Sequence, residues 1–326
     1  MDYTTLGRTG LKVSRLCLGT MSFGSSKWRP WVLDAAEGTA VIKHALAHGI
    51  NFFDTADMYS NGGSEEVLGA TLKGAVRRDD VVIATKVFYP VAGAADTGGL
   101  SRAHIMRAID DSLRRLQTDY VDLYQIHRFD PNTPIEETLE ALDDVVKAGK
   151  ARHIGGSSMF AWQFAKMVYT QRSRGWAEFQ TMQNHYNLVY REEEREMNPF
   201  CLDQGIALIP WSPLARGFLA GNRRRGQRDA TLREQHDGYG HSLYYADSDY
   251  DVADRVVEIA HRKGVLPIQV ALAWMLSRPG VAAPIISVTK QAQLDDLIAA
   301  VGLTLSADEI TDLMAAYRPH AVFGHE

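Results

Sequence analysis

The chain has 326 residues, 45% hydrophobic and 23% charged, which is enough to bury one large core. A net charge of −5 argues against nucleic acid or an anionic membrane as the main partner. Its two cysteines, Cys17 and Cys201, cannot form a disulfide framework or a zinc spacing.

The opening MDYTTLGRTG has no apolar run of signal-peptide type. The most apolar stretch, 264–288, is broken by Pro267, Gln269, Arg278 and Pro279, and is too interrupted to span a bilayer. A cytoplasmic protein with no membrane segment is therefore expected.

Eight short apolar runs follow one another along the chain. They are RLCLG at 15–19, INFFD at 50–54, DVVIATK at 80–86, YVDLYQIH at 120–127, ARHIGGSS at 151–158, FQTMQ at 179–183, IALIPWS at 206–212 and APIISV at 283–288. Helical patterns lie between them. Ile105, Ile109, Leu113 and Leu116 share a face, as do Ile135, Leu139, Leu142 and Val146. Thr133-Pro134-Ile135-Glu136 and Ser306-Ala307-Asp308-Glu309 read as capping boxes. Gly49, Gly149 and Gly205 each close a helix before the next strand.

Strands that are apolar on both faces and alternate with helices predict a closed parallel barrel. An open doubly wound sheet is the alternative. It ranks lower because no Gly-x-Gly-x-x-Gly turn follows the first strand. Residues 215–250 break the rhythm as a long polar insertion after strand seven.

In a parallel barrel the active site lies at the C-terminal strand ends. Strand two ends in Asp54, with Tyr59 shortly after. Strand three ends in Lys86 and strand four in His127. Strands five to eight end in Ser157 and Ser158, in Gln183 and Asn184, in Trp211 and Ser212, and in Ser287, Thr289 and Lys290. Each alone has a bland explanation as a cap or a solvated charge. A barrel would bring the first four together. Lys86 would favour the phenolate of Tyr59, Asp54 would orient Lys86, and His127 would hold a substrate oxygen against the phenol. That set donates a proton to an oxygen gaining negative charge. It contains no Ser-His-Asp nucleophile and is a poor metal site, so something else must supply the electrons, which points to a hydride cofactor.

At this point the residues resemble the aldo-keto reductase superfamily. The likeness runs from about Leu6 to about Pro319. It is carried by GRTGLKVSRLCLGTMSFG at 7–24, DTADMYSNGGSEEVLG at 54–69, IATK at 83–86, LYQIHR at 123–128, IGGSSMFAWQF at 154–164, MQNHYNLVYREEERE at 182–196 and IPWSPLARG at 209–217. Two of these segments resemble a branch holding bacterial predicted oxidoreductases and fungal aryl-alcohol and versiconal-type reductases.

The resemblance implies a (β/α)8 TIM barrel as one domain over 1–326, with an N-terminal β-hairpin and the long loop after strand seven. It implies reduction of a small-molecule carbonyl by NADPH, with NADH also possible, and Tyr59 as general acid. Gly19, Thr20 and Met21 would lie beneath the nicotinamide. Ser157, Ser158 and Gln183 would hold its amide, and Trp211 would stack on its ring. Ser212, Leu214, Arg216 and Gly217 would take the pyrophosphate. Ser287, Thr289, Lys290, Gln293 and Asp296 would take the adenosine end. Lys290 or the Arg223-Arg224-Arg225 run would bind a 2′-phosphate, and the 215–250 insertion would close over the cofactor.

Trp28 and Trp31, with Phe88 and Phe129, suggest an aromatic substrate mouth. The tryptophans alternatively only anchor their loop. Two other function classes are open. One is a cofactor-binding sensor or accessory subunit on this fold. The other is a metal-dependent barrel hydrolase, for which no ligand cluster stands at the strand ends.

Overall fold

Phe52 and Phe53 are neighbours in sequence and belong to different cores. Side chains alternate along a strand, so one ring faces each side of a sheet. The computed structural model describes residues 1–91, 98–223, 225–226 and 231–325. Eight parallel strands form its central sheet: β1 Cys17–Gly19, β2 Phe52–Asp54, β3 Val82–Val87, β4 Val121–Ile126, β5 Ala151–Ser157, β6 Phe179–Gln183, β7 Ala207–Leu208 and β8 Ile285–Ile286. Seven fall within the predicted runs, and β3 runs one residue past its own, to Val87. Their spatial order is β7-β6-β5-β4-β3-β2-β1-β8.

Bridges from Leu208 to Val281 and from Trp211 to Ile285 join the segments at the two edges. Leu208 N donates to Gly280 O at 2.9 Å, and Ile285 N donates to Pro210 O at 2.8 Å. β7 and β8 are shorter than their sequence runs. Pro210 and Pro284 lie in those runs and have no N–H to give a ladder.

The inner core holds Cys17, Phe52, Val82, Ala84, Leu123 and Ile209, together with Leu6 and Val13. Val13 belongs to an antiparallel pair, Tyr3–Thr5 with Lys12–Ser14, that precedes the sheet, and Leu6 directly follows its first strand. The outer core holds Phe53, Ile83, Tyr124 and Ile126 against the helices.

Helices follow the strands in turn: α1 Ala35–Ala47, α2 Gly63–Lys73, α3 Arg102–Leu116, α4 Ile135–Lys147, α5 Ala161–Arg174 and α6 Met197–Gln204. Then come α7 Leu232–His236, α8 Gly238–Leu243, α9 Asp247–Lys263, α10 Pro267–Leu276, α11 Gln291–Ile298 and α12 Ala307–Ala315. None is long and apolar enough to cross a membrane. Ser306 and Glu309 make the reciprocal cap expected of them. Thr133 does not. Its hydroxyl donates to Asp130 Oδ2 at 2.7 Å, and α4 begins at Ile135 with Pro134 outside it.

Among its described residues, the 215–250 insertion contains α7, α8 and the start of α9. Thr231 Oγ1 caps α7 through Glu234 N, and Asp237 Oδ1 caps α8 through Gly240 N.

α2 and α3 meet at Gly69, where an added Cβ would lie 2.4 Å from Leu116 O. Neither backbone can yield cheaply. Gly69→Ala is expected to cost about 2 kcal/mol of stability in urea unfolding.

Candidate active site

The inward positions of the sheet turn from apolar to polar toward the C-terminal strand ends. On β2, Phe52 gives way to Asp54. On β3, Val82 and Ala84 give way to Lys86. On β4, Leu123 gives way to Gln125. The period of two therefore aims three polar side chains at one point. Lys86 Nζ donates to Asp54 Oδ1 at 2.5 Å and to Thr55 O at 2.8 Å, and lies 3.4 Å from Tyr59 Oη. Asp54 Oδ2 accepts from Gln125 Nε2 at 3.1 Å and from Gln183 Nε2 at 2.9 Å. Both charges are almost fully buried, and both carboxylate oxygens have partners. Burial alone would lower the Lys86 pKa. Asp54 and Tyr59 outweigh it and hold the group above its ordinary value, as an ammonium.

The chain turns sharply after Tyr59. Ser60, Asn61 and Gly62 have φ of 50°, 54° and 92°. This bend sends α2 away and leaves the phenol over Lys86. The His127 ring meets it edge-on, with centroids 5.8 Å apart. Burial, then Lys86 and Arg128, push the His127 pKa well below its ordinary value, so the imidazole is neutral. His127 Nδ1 is buried with no hydrogen-bond partner among the described residues. Asp57 is buried too, lies outside the cleft lining, and is pushed well up by burial and then by Glu65.

Burial also pushes down His185, whose ring lies between Tyr190 and Trp211, at 4.1 and 4.2 Å. Both imidazoles have folded pKa values below the ordinary 6.5. The unfolded chain therefore takes up protons first as pH falls. Their contribution to stability is complete above pH 6.5 and is lost below it, by about 1 kcal/mol per pH unit for each ring. Urea unfolding from pH 7 to pH 5 should show a shallower decline in the His127→Gln, His185→Gln double variant.

A cleft of about 1300 Å³ opens over this floor. Gly19, Met21, Asp54, Tyr59, His127, Ser157, Gln183, Trp211, Ser212, Leu214, Arg216 and Gly217 line it, as do Ser287, Thr289, Lys290, Gln293 and Trp31. Other predicted residues stand behind its wall. Lys86 lies under the floor. Thr20 is buried and bonds Ser64. Ser158 Oγ accepts from Trp211 Nε1 at 2.8 Å, so it orients the indole. Asp296 gives its carbonyl to Gln269.

Phe88 and Phe129 do not line the cleft. Their neighbours Tyr89 and Arg128 do, because each chain turns as it leaves its strand. Phe88 packs on Tyr89, and Phe129 packs on Trp162. Trp28 is 6.5 Å from Tyr59, also outside the lining. Trp31 lies between the guanidiniums of Arg29 and Arg233, at 5.6 and 4.6 Å.

Arg29, Arg128, Arg216, Arg223, Arg233 and Lys290 face the cleft against Glu37 and Asp54. An acidic chain thus concentrates cations where it is hollow, which suits an anionic ligand. Asp237 pairs with Arg216 and Arg233, and Glu234 pairs with Arg223, so α7 and α8 are tied to the rim. Arg225 is held by Asp251 and Asp254, away from the cleft. Arg224 lies outside the described residues. No ion pair among the described residues engages Lys290. Ala215, Arg216 and Gly217 have φ of 48°, 55° and 91°, and such strained backbone clusters at ligand sites.

Sequence reasoning missed Arg29, Tyr89 and Tyr239, which line the cleft, Gln125, which holds Asp54, and His185, which stacks on Trp211. Gln125 was legible, two residues before His127 in the run 120–127. The loop residues carried no periodic signal.

A family model described as "Aldo/keto reductase family" matches residues 15–318. The chain is 45% identical to the versiconal hemiacetal acetate reductase of Aspergillus parasiticus over 99% of this chain and 98% of that protein. It is 44% identical to an aldo-keto reductase of Fusarium vanettenii, over 100% and 93% of the two chains. It is 41% identical to a Schizosaccharomyces pombe protein carrying an aryl-alcohol dehydrogenase name, over 99% and 97%. These relatives are fungal.

Proposed function

The chain belongs to the aldo/keto reductase family and is an oxidoreductase; from that premise we propose that it reduces aldehydes or ketones to alcohols with NADPH, Tyr59 acting as general acid. The observation that carries this reading is the buried Asp54–Lys86 pair set against the Tyr59 hydroxyl under a large cationic cleft. We read the sheet as a closed (β/α)8 barrel and residues 1–326 as one domain. The two free buried cysteines fit a reducing cytoplasm.

The cleft suits a dinucleotide in size and charge. Trp211 and Gln183 would meet the nicotinamide, the left-handed run 215–217 and Arg216 the pyrophosphate, and Thr289, Lys290 and Gln293 the adenosine end. Lys290 is the better 2′-phosphate ligand, since acids already engage Arg223 and Arg225. When bound, the reduced nicotinamide supplies a hydride to the carbonyl carbon. Neutral His127 hydrogen-bonds the carbonyl oxygen and aims it at Tyr59. Tyr59 gives its proton to that oxygen as negative charge develops there, and the Lys86 ammonium stabilises the phenolate left behind. Asp54, held by Gln125 and Gln183, keeps Lys86 in place.

The substrate class we favour is aryl or medium-sized apolar carbonyls, from Tyr89, Trp31 and Met58 in the cleft wall. A panel of such aldehydes, followed by NADPH absorbance with NADH beside it, should show steady turnover and faster oxidation of NADPH. Binding without steady turnover would instead identify a cofactor sensor.

A further inference from the structure

A second cluster of chemistry-bearing side chains stands outside the cleft, where the end of α1 meets α11. His44 lies in the last turn of α1 and His48 at its C-terminal cap. Four residues apart, they rise from one helix face. Asp295 reaches them from α11. His44 Nε2 is 2.6 Å from Asp295 Oδ1, and His48 Nε2 is 3.8 Å from the same atom. One donor atom from each of the three residues lies within 4.8 Å of the others, the only such grouping among the described residues.

The second nitrogen of His48 decides the character of this cluster. His48 Nδ1 lies 2.9 Å from His44 O, a carbonyl that only accepts, so the ring must carry its proton there. In the neutral ring Nε2 then carries the lone pair a metal would take, and it lies 3.8 Å from Asp295 Oδ1. A ring N–H given to a backbone carbonyl is one way a metal-binding histidine is oriented, leaving the other nitrogen for the ion. The end of a helix adds the partial negative charge of its last carbonyls, which favours a cation.

We propose that His44, His48 and Asp295 form a binding site for a divalent transition metal of the zinc type. Two imidazoles and one carboxylate suit that class, whereas magnesium and calcium prefer oxygen donors throughout. Ligands at about 2 Å from zinc stand about 3.3 Å apart, between the two distances seen here. The ion would replace the His44–Asp295 hydrogen bond, and water would fill the remaining coordination. All three side chains are partly exposed, so the ion has a path in.

Such an ion would be structural or regulatory, because no residue of the cluster lines the cleft. It would add a metal clamp between α1 and α11, whose Gln291 already bonds Ala40 O at 3.3 Å. α11 also carries Gln293, which does line the cleft. The site stands whether or not the reductase reading does.

The test uses the full chain without an affinity tag, stripped with chelator and titrated with Co²⁺ and Zn²⁺. Wild type should take up one equivalent of Co²⁺ with visible d–d absorption, lose that absorption when Zn²⁺ is added, and melt at a higher temperature with Zn²⁺. His48→Ala and Asp295→Asn should each weaken binding by at least about tenfold. His261→Ala, a change at an exposed histidine elsewhere, should leave it unchanged. No metal uptake by wild type, or equal uptake by His48→Ala, overturns the site. The exposed position of His48 makes that variant safe for folding.

Discussion

Tyr59→Phe is expected to lower carbonyl reduction by about 10³-fold or more while nucleotide binding is kept. General acid catalysis by a positioned group contributes about 10²- to 10⁴-fold. The upper part of that range applies here because the two nearest groups, His127 and Lys86, are poorly placed to give a proton instead. His127 is neutral, and Lys86 is committed to Asp54 and Thr55 O. The fold should hardly notice the change. The hydroxyl's hydrogen bond with Lys86 is a long one, at 3.4 Å, and the phenyl ring keeps its packing against His127. Fluorescence titration with NADPH and a single-turnover assay separate the two quantities. A variant that binds NADPH and still reduces aldehydes at near wild-type rates would remove Tyr59 from the role of proton donor.

This architecture was open to sequence reasoning because its signals are local and repeated. Each strand is a short apolar run, and each run ends in polar residues that the parallel sheet gathers at one edge. Gly49, Gly149 and Gly205, with φ of 82°, 72° and 65°, close helices as their positions suggest. Asp54, Tyr59, Lys86 and His127 could be aligned because they follow fixed offsets from strand ends.

What the sequence hid depends on how loops fold back. Nothing near Trp31 says that Arg233, two hundred residues on, will stack on its ring. The 215–250 segment reads as polar filler by composition, yet Thr231-x-x-Glu234 is a helix-start pattern, and α7 begins there. The acids that order the segment find their partners across it, Asp237 to Arg216 and Glu234 to Arg223. The aromatic mouth was misread by one residue at two places. Alternation holds within a strand and fails in the turn after it, so Tyr89 and Arg128 face the cleft where Phe88 and Phe129 were expected. Thr133 failed as a cap for a similar reason: Asp130, already ordered by Leu100 N and Asn132 N, takes its hydroxyl.

Lys86→Met is the second large effect, and it separates stability from catalysis. The change leaves the Asp54 carboxylate buried with two amide donors and no cation. Removing one partner of a buried pair costs about 3–5 kcal/mol. Activity should fall as far as in Tyr59→Phe, because negative charge on the phenol oxygen loses the ammonium 3.4 Å away. An inactive and unstable variant alone would be uninformative, since unfolding explains both. Adding Asp54→Asn removes the stranded charge and keeps a side chain of the same shape for Gln125 and Gln183. The double variant should regain most of the lost stability in urea unfolding and remain inactive in steady-state assays. Recovery of both together would mean that the ion pair only holds the floor in place. Recovery of stability without activity is the expected result, because the ammonium acts on the phenol and the carboxylate acts on the ammonium.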